Sequence, residues 1–530
     1  MFKKFSILLI LILGTGFLIF SVYVGNIDLK KKSRIHRSKG FKKNLSKLQI
    51  LHIPTPKLPK VIDPQKVLSH SEKSLLSLIY GKLVKVDENL QVEPDLLKSW
   101  ELDFEKIKFR LNLRRALTFN NGQKITSNDI YFSFHQWAKS KSLDSDLLLP
   151  IIGVKEYQSG KKQKIDGINI IDNYTIDVTL SFNSSYFIRS LTNSRFVVYP
   201  NNYNGMKREE YLNHPIASGP FNLEYKSKKR AKFVANPLFY LGKPHLNIIQ
   251  IEQMNVASAI KKFHSGEINN LIFYNIWDSE QFNAHNIIIA PKESKTSLLL
   301  FLSPQFKPFK NKKTREEFSN FIKTNVNFKS CYKNMNMIDN IIPEGLIGSR
   351  QSNKKNVRLN QDFKYKQSHN IKLNVPNIIF YIEDLKQNSC LDNVLDSALK
   401  DTNVKLKKVS FYEMYEKLKA KNLYTWIETW EFKNEDPISN LQYFSTTSNE
   451  YLLGEKIPKL EAFFKKLQTE VTESEKARIY SKIDNFLTSN YYVVPLLNPI
   501  GSLIFRDIIK GINQMKLTSF FSGWHNVYIE

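Results

Sequence analysis

A chain of 530 residues is too long for one ordinary hydrophobic core and implies at least two lobes. With 42% apolar, 12% aromatic and 24% charged residues, wholesale disorder is excluded, and two cysteines exclude a disulfide scaffold or a cysteine-based zinc site. The net charge of +28 arises from 78 Lys and Arg against 50 Asp and Glu. It reads as a basic surface and not as nucleic-acid binding, because the lysines are scattered and no nucleic-acid module accompanies them.

Met1-Phe2-Lys3-Lys4 is a basic start, and Phe5 to Val24 carries no charged residue. This is the pattern of a secretory signal, and the run is also long enough to span a bilayer as a helix. No small-x-small cleavage site ends the run and no Cys follows it. Residues 1–25 are therefore read as a signal peptide or an uncleaved membrane anchor, with a buried helix as a third reading. The downstream flank, Lys30 to Lys39, is more basic than the upstream one, against the positive-inside tendency. Residues 26–50 read as a basic tether, and a folded body begins near Leu51. Pro54, Pro56, Pro59 and Pro64 keep any first strand short or at a sheet edge.

Along the body, Ile107 to Leu113 and Tyr174 to Leu180 alternate apolar and polar residues, as half-buried strands do. Asn121-Gly122 marks a tight turn, and Ser127-Asn128-Asp129 opens a helix with an acidic first turn. Ile378 to Ile382 reads as a strand. Leu460, Phe463, Phe464, Leu467 and Val471 form one helical stripe. Thr472 and Glu475 then fit a capping box, and Ile479, Ile483, Phe486 and Leu487 give the following helix its buried face. The class is mixed α/β in two lobes. Cys331 and Cys390 are either bridged in an oxidising compartment or two buried thiols.

Residues for catalysis are not arranged in a recognisable pattern. The ten His form no H-E-x-x-H, and there is no nucleophile elbow or phosphate-binding loop. Carboxylate pairs such as Glu383-Asp384 are ordinary in a chain with 50 acids. No enzyme activity, cofactor or metal site is expected.

Several segments, in order, resemble the peptide- and nickel-binding family of ABC-importer receptors (solute-binding family 5, with the oligopeptide- and dipeptide-binding proteins). LVKVDENLQVEPDLLKSWEL followed by KFRLNLRRALTFNNGQKITSNDIYFSF, over Leu83 to Phe134, carries the densest match, with Asp87, Pro94, Trp100, Arg114, Phe119, Gly122, Thr126 and Asp129 among the matching positions. Ser218-Gly219-Pro220-Phe221, Asn236-Pro237, Gly242-Lys243-Pro244, Ser265-Gly266-Glu267 and Trp430 to Pro437 follow in family order.

This resemblance implies a two-lobed α/β periplasmic-binding-protein fold with a ligand cleft between the lobes and an extra subdomain in lobe I. Residues 51–62, 165–255 and 490–530 would form lobe I, 63–164 its extra subdomain, and 256–489 lobe II. It also implies an extracytoplasmic location, a peptide or similar small solute as ligand, and ABC permease transmembrane subunits as partner, with membrane attachment through residues 5–24 if the leader is retained. Two other function classes are a membrane-tethered sensor or scaffold that keeps the fold without transport, and a hydrolase on the same scaffold.

In peptide-binding members a carboxylate three residues after the tryptophan pairs with the ligand α-ammonium; that position here is Lys433. A cation cannot stabilise an ammonium. Three readings are open: Lys433 anchors an anionic or amine-blocked ligand; Glu431 or Glu435 takes the carboxylate role; or Lys433 faces solvent and the pocket is altered. Trp426 and Trp430 offer an apolar wall or stacking face, with core packing as the alternative for Trp426. Counting from Asp63-Pro64 places the first lobe's ligand loop at Leu68-Ser69-His70.

Overall fold

The computed structural model describes residues 48–530 other than 67–69, 88–90, 106, 141–143, 183–186, 275, 277–278, 292–294, 333–334, 345, 351–377, 384–388, 433–436, 449–450, 468–471, 500, 513–520 and 522. The leader, and the tether up to residue 47, lie outside the described residues. Residues 49–530 form one compact unit. Among the described residues no helix is long and apolar enough to cross a membrane.

The first sheet holds β1 (Ile50–Thr55) at its edge, then β10 (Ile248–Gln253), β9 (Arg230–Ala235) and β8 (Phe221–Lys226). Strand β1 pairs in parallel with β10 and carries Pro54, a residue tolerated there because an edge strand has one unpaired side. A hairpin of β2 (Val84–Val86) and β3 (Val92–Pro94) leads into an antiparallel sheet. That sheet has the order β4 (Leu97–Asp103), β5 (Lys108–Leu113), β7 (Thr175–Thr179) and β6 (Ile168–Asp172). The alternation read over Ile107 to Leu113 appears as intermediate and buried residues in turn along β5. Gly122 takes φ +87° in the Phe119–Gly122 turn, a conformation open to glycine without steric penalty. The helix Ser127–Lys139 starts one residue after its N-cap, Thr126, which forms a capping box with Asp129.

Lys295–Leu302 (β12) is the centre of a six-stranded sheet. Its order is β13 (Met335–Met337), β17 (Val493–Pro499), β12, β16 (Thr425–Phe432), β14 (Ile378–Glu383) and β15 (Val404–Val409). A separate pair, β11 (Ile287–Pro291) and β18 (Ser502–Arg506), is antiparallel, and β19 (Ile509–Lys510) pairs with β20 (Tyr528–Ile529) near the C-terminus.

Hydrophobic packing divides the same way. One large cluster draws on residues between Leu51 and Phe273 and between Leu503 and Val527. Two others cover the opposite faces of the six-stranded sheet, with residues from Leu298 to Leu497. Strand β18 alternates between neighbours: Leu503 and Phe505 enter the large cluster, while Ile504 enters a smaller one with Ala259, Phe263, Ile268, Leu271, Tyr274, Ile276 and Phe282. Residues 256–291, expected with lobe II, therefore pack apart from the six-stranded sheet. Strand β17, expected with lobe I as part of 490–530, pairs with β12 inside that sheet.

Cys331 and Cys390 are bridged, with Cα atoms 5.5 Å apart. The bond ties the turn after Phe328–Ser330 to the helix Ser389–Leu399. At the other end of the body, the Ile529 amide donates to Gln49 Oε1 (2.8 Å), while the Asn247 and Ile248 amides donate to the Gln49 carbonyl. First and last described segments thus meet.

His135, 7% exposed on the helix Ser127–Lys139, supplies a pH prediction. The Ile165 amide donates to its Nε2 (3.1 Å), and its Nδ1 lies 2.8 Å from the Tyr131 carbonyl. Nε2 is therefore an acceptor and the ring is neutral, with its proton on Nδ1. Burial lowers its pKa, and the Tyr131 carbonyl opposes this in part. An unfolded His takes up its proton near about pH 6.5. Below that value the unfolded chain binds a proton that the folded one resists. This contribution to stability is thus whole above the unfolded pKa and is lost as pH falls through it toward the depressed folded value. The urea midpoint is expected to drop between about pH 7.5 and 5.5, and to drop less in His135→Phe; equal pH slopes in both proteins would show that His135 is not the source.

Candidate ligand site

Strand β16 reads Thr425-Trp426-Ile427-Glu428-Thr429-Trp430-Glu431-Phe432. Side chains alternate across a strand, so Trp426, Glu428, Trp430 and Phe432 share one face, and Ile427 and Glu431 lie on the other. The clusters agree: Trp426, Trp430 and Phe432 belong to one side of the sheet, and Ile427 to the opposite side. Cross-strand register sets Phe301, Leu299 and Ser297 of β12 beside Trp426, Glu428 and Trp430.

Packing fixes both indoles. Trp426 stacks on Phe301 with centroids 4.5 Å apart and planes 4° from parallel. Trp430 contacts Phe301 at 5.3 Å and Phe444 at 5.5 Å. Trp426 is 1% exposed and Trp430 6%, so both are chiefly core residues, and Trp430 keeps the small remaining surface of the two. Glu428 lies between them. The Trp426 Nε1–H donates to Glu428 Oε2 at 3.3 Å, and the nearby Trp430 indole acts on the ionisation of the same carboxyl. Burial pushes the Glu428 carboxyl above the usual carboxylate range, against the lowering effect of the two indoles.

Glu431 is half-buried on the opposite face, opposite Thr296, and its carbonyl accepts from Asn440 Nδ2 at 3.4 Å. The strand thus separates Glu431 from the two tryptophans. Lys433 and Glu435 lie outside the described residues. The chain is described again at Pro437, the N-cap of Ile438–Leu441, whose Ile438 and Leu441 join the cluster of Trp430.

In the first lobe, Asp63 is buried and forms a two-pronged pair with Arg208, at 3.0 and 2.6 Å. Burial alone would lower the Arg208 pKa, but the Asp63 carboxylate raises it above its ordinary value. Gln65 accepts from Arg208 at 3.1 Å and donates to the Gln136 carbonyl at 2.8 Å. The turn at Asp63-Pro64 is therefore held to the helix Ser127–Lys139. Leu68 and Ser69 lie outside the described residues, and His70 is described only as the first residue of the helix His70–Ile79.

Sequence reasoning missed Glu428 and the Asp63–Arg208 pair. For Glu428 the signal was present: an acid two residues from each of two tryptophans must share their face in a strand. Arg208 is 145 residues from Asp63, and no local pattern connects them.

A model of the bacterial extracellular solute-binding proteins, family 5, matches residues 91–451. Heme-binding protein A of Haemophilus influenzae is 21% identical over 282 residues, which cover 49% of this chain and 51% of that protein. The oligopeptide-binding protein AppA of Bacillus subtilis is 23% identical over 255 residues, 45% of this chain and 44% of that protein. The matched stretches thus span about half the length of these curated relatives. Among solved structures, OppA of Haemophilus influenzae, in complex with the peptide RPPGFSPFR, superposes with a TM-score of 0.76 at 15% identity, covering 91% of this chain and 99% of that one. The Escherichia coli murein tripeptide binding protein MppA gives the same four values. At that identity the likeness is one of fold: two-lobed and α/β.

Proposed function

The chain belongs to the bacterial extracellular solute-binding proteins, family 5, and on that premise we propose that it is the substrate-binding component of an ABC importer. It captures a peptide or similar small solute outside the cytoplasm and presents it to the permease transmembrane subunits. The carrying observation is the family match over residues 91–451, which includes the whole of β16 with its two tryptophans. Relatives named for oligopeptide binding support the ligand class. This role needs binding and release and no turnover, cofactor or nucleic acid. The basic, uncharged-run start supports export, with residues 5–24 either removed or retained as an anchor.

We take the chain to leave the first lobe after Pro291 and to return to it before Ser502, because the hydrophobic clusters on the two sides of each boundary differ. Lobe I is then 49–291 with 502–530, its extra subdomain including 63–164, and lobe II is 295–499. Closure of such lobes around a ligand excludes water and strengthens each polar contact. It shifts the open–closed balance only through tighter binding to one state. Lys433 is retained as the candidate anchor for an anionic or amine-blocked ligand, with Glu435 or Glu431 as the carboxylate for a free amine; Leu68, Ser69 and His70 are the candidate contacts from lobe I.

Thermal unfolding of the full chain in detergent, with free-amine, amine-blocked and acidic peptides, tests the reading. A ligand at about 100 times its Kd should stabilise the folded state by about 2.7 kcal/mol. Stabilisation by blocked or acidic peptides, lost in Lys433→Ala, supports the Lys433 anchor, and stabilisation by free-amine peptides alone favours the carboxylates. No shift with any of the three classes would overturn peptide capture.

A further inference from the structure

We propose that the end of lobe I where the chain enters the folded body docks on an anionic phospholipid surface, through the outward leucines Leu238 and Leu241 and the exposed Lys243. Such docking rests on the export read from residues 5–24 and adds to it a surface of the folded body itself.

The loop between β9 and β10 reads Asn236-Pro237-Leu238-Phe239-Tyr240-Leu241-Gly242-Lys243-Pro244-His245. It turns its amide side chain inward and two leucines outward. Asn236 is buried; its Nδ2 donates to the Gly219 carbonyl at 2.8 Å, and its Oδ1 accepts from the Leu238 amide at 3.0 Å. Phe239 is buried against His525, with ring centroids 5.4 Å apart. The Tyr240 hydroxyl donates to the buried Asp95. These contacts fix the loop, so the outward placement of Leu238 (44% exposed) and Leu241 (42% exposed) is built in. Gly242 turns the chain at φ +106°, and Lys243 and His245 follow in the open. His245 lies against the half-buried Tyr528, with centroids 6.0 Å apart. Among the described residues Lys243 has no ion pair, whereas Lys510 is paired with Glu530.

Strand register places this loop where the chain enters. Ile50 opens β1 beside Ile248, the first residue of β10, and the Asn247 amide donates to the Gln49 carbonyl. Ahead of Gln49, residues 25–48 hold nine Lys or Arg against Asp28 alone, and the uncharged run 5–24 precedes them. The 24 residues from 25 to 48 reach at most about 85 Å. A bilayer that holds the run therefore keeps the loop near its headgroups. The attachment also raises the local concentration of a contact too weak to hold the protein alone. Single leucines on a surface need no partner, but these two sit on one fixed turn, beside an exposed lysine and a tyrosine, at the point of attachment. Leucine for the acyl boundary, tyrosine at headgroup depth and lysine for phosphate are the composition of interfacial segments. The basic tether draws the same end toward anionic lipid. The turn at Ser227–Lys229 between β8 and β9 is basic too, but it lies at the other end of the sheet, about 20 Å away along β1.

Electron paramagnetic resonance on the full chain in vesicles tests the docking. Cys331 and Cys390 are the chain's two cysteines and are joined, so Leu241→Cys, or Lys228→Cys as the control at the far end, supplies the thiol for a nitroxide. The label at 241 is itself apolar and keeps the outward bulk. Vesicles are phosphatidylcholine alone or mixed with phosphatidylglycerol, and accessibility to oxygen is compared with accessibility to a water-soluble nickel chelate. With phosphatidylglycerol the oxygen-to-nickel ratio at 241 is expected to be about fivefold that at 228, and in phosphatidylcholine to fall toward the value at 228. Leu238→Gln in the 241-labelled chain, with an unchanged melting midpoint, should lower the docked-to-free ratio by about threefold. A ratio at 241 equal to that at 228 in the anionic vesicles overturns the proposal, as does the same ratio in both lipids or no effect of Leu238→Gln. Protection of 241 from both reagents would mark cover by the tether, and dipolar broadening between labels a second copy; either result overturns it too. Failure of the chain to float with either vesicle overturns docking and the anchored reading together. Peptide-dependent thermal shifts on the same samples report peptide capture separately.

Discussion

Asp484→Ala is expected to lower the unfolding free energy by about 3–5 kcal/mol, the range for removing one partner of a buried ion pair. Asp484 is fully buried on the helix Glu473–Ser489. Its Oδ2 accepts from the Ile341 and Ile342 amides at 3.1 and 3.0 Å, and its Oδ1 accepts from Arg350 Nη2 at 2.9 Å. Burial pushes this carboxyl upward, with Arg350 and the two amides acting against it. Arg350 also donates to the Asp339 carbonyl and to Thr488 Oγ1. One carboxylate therefore fastens both ends of the 339–350 loop to a helix that covers the sheet face beneath Trp426 and Trp430. Alanine would strand two buried amide donors and leave the guanidinium without its counter-charge. Asp484→Asn keeps acceptor oxygen but loses charge, so its cost should lie between wild type and alanine. Urea unfolding measures both, and a midpoint unchanged in Asp484→Ala would show the loop held by other contacts.

Removing the Cys331–Cys390 bridge should cost about 4 kcal/mol if loop-closure entropy dominates. The two residues are 59 apart in sequence, and the bridge restricts that whole stretch in the unfolded chain. Guanidinium unfolding of the oxidised chain against Cys331→Ser/Cys390→Ser reads the difference. A double variant as stable as wild type would mean that the bond is absent from the protein in solution. Cys331 packs against the hydrophobic cluster that also holds Leu391, the residue after Cys390, so the loss should destabilise the six-stranded sheet, and peptide affinity measured well below the new midpoint should change little.

Local pattern made much of this fold legible in the sequence. Alternation located β5 and β7, proline spacing put β1 at an edge, and Thr472 with Glu475 gave the capping box of the helix Glu473–Ser489. Each is decided by neighbours within a few residues. The boundary of the second lobe was not local: β17 joins β12 across almost 200 residues, and nothing in Val493–Pro499 says which sheet will take it. The site divides similarly. Trp426 and Trp430 were visible as large aromatics beside a family segment. Glu431 is one reading of the family carboxylate, reached by a local shift of the segment after Trp430; the pleat sets it on the face opposite that indole and sets Glu428 on the same face. Counting residues gives proximity in sequence; parity in a strand decides which side chains meet.

The meeting of Gln49 with Ile529 bears on how the body would answer a mechanical load. A pull on the chain ahead of residue 49 runs along the axis of β1, so the parallel bonds between β1 and β10 would be strained together in shear and not opened one at a time. The contact to Ile529 brings the C-terminal strand under the same load. Tension from an N-terminal attachment would then be resisted at the rim of the first sheet, leaving the aromatic face of β16 unstrained. The same proximity makes the ends easy to splice: a short linker from residue 530 to residue 49 should give a circularly permuted protein that keeps both cores.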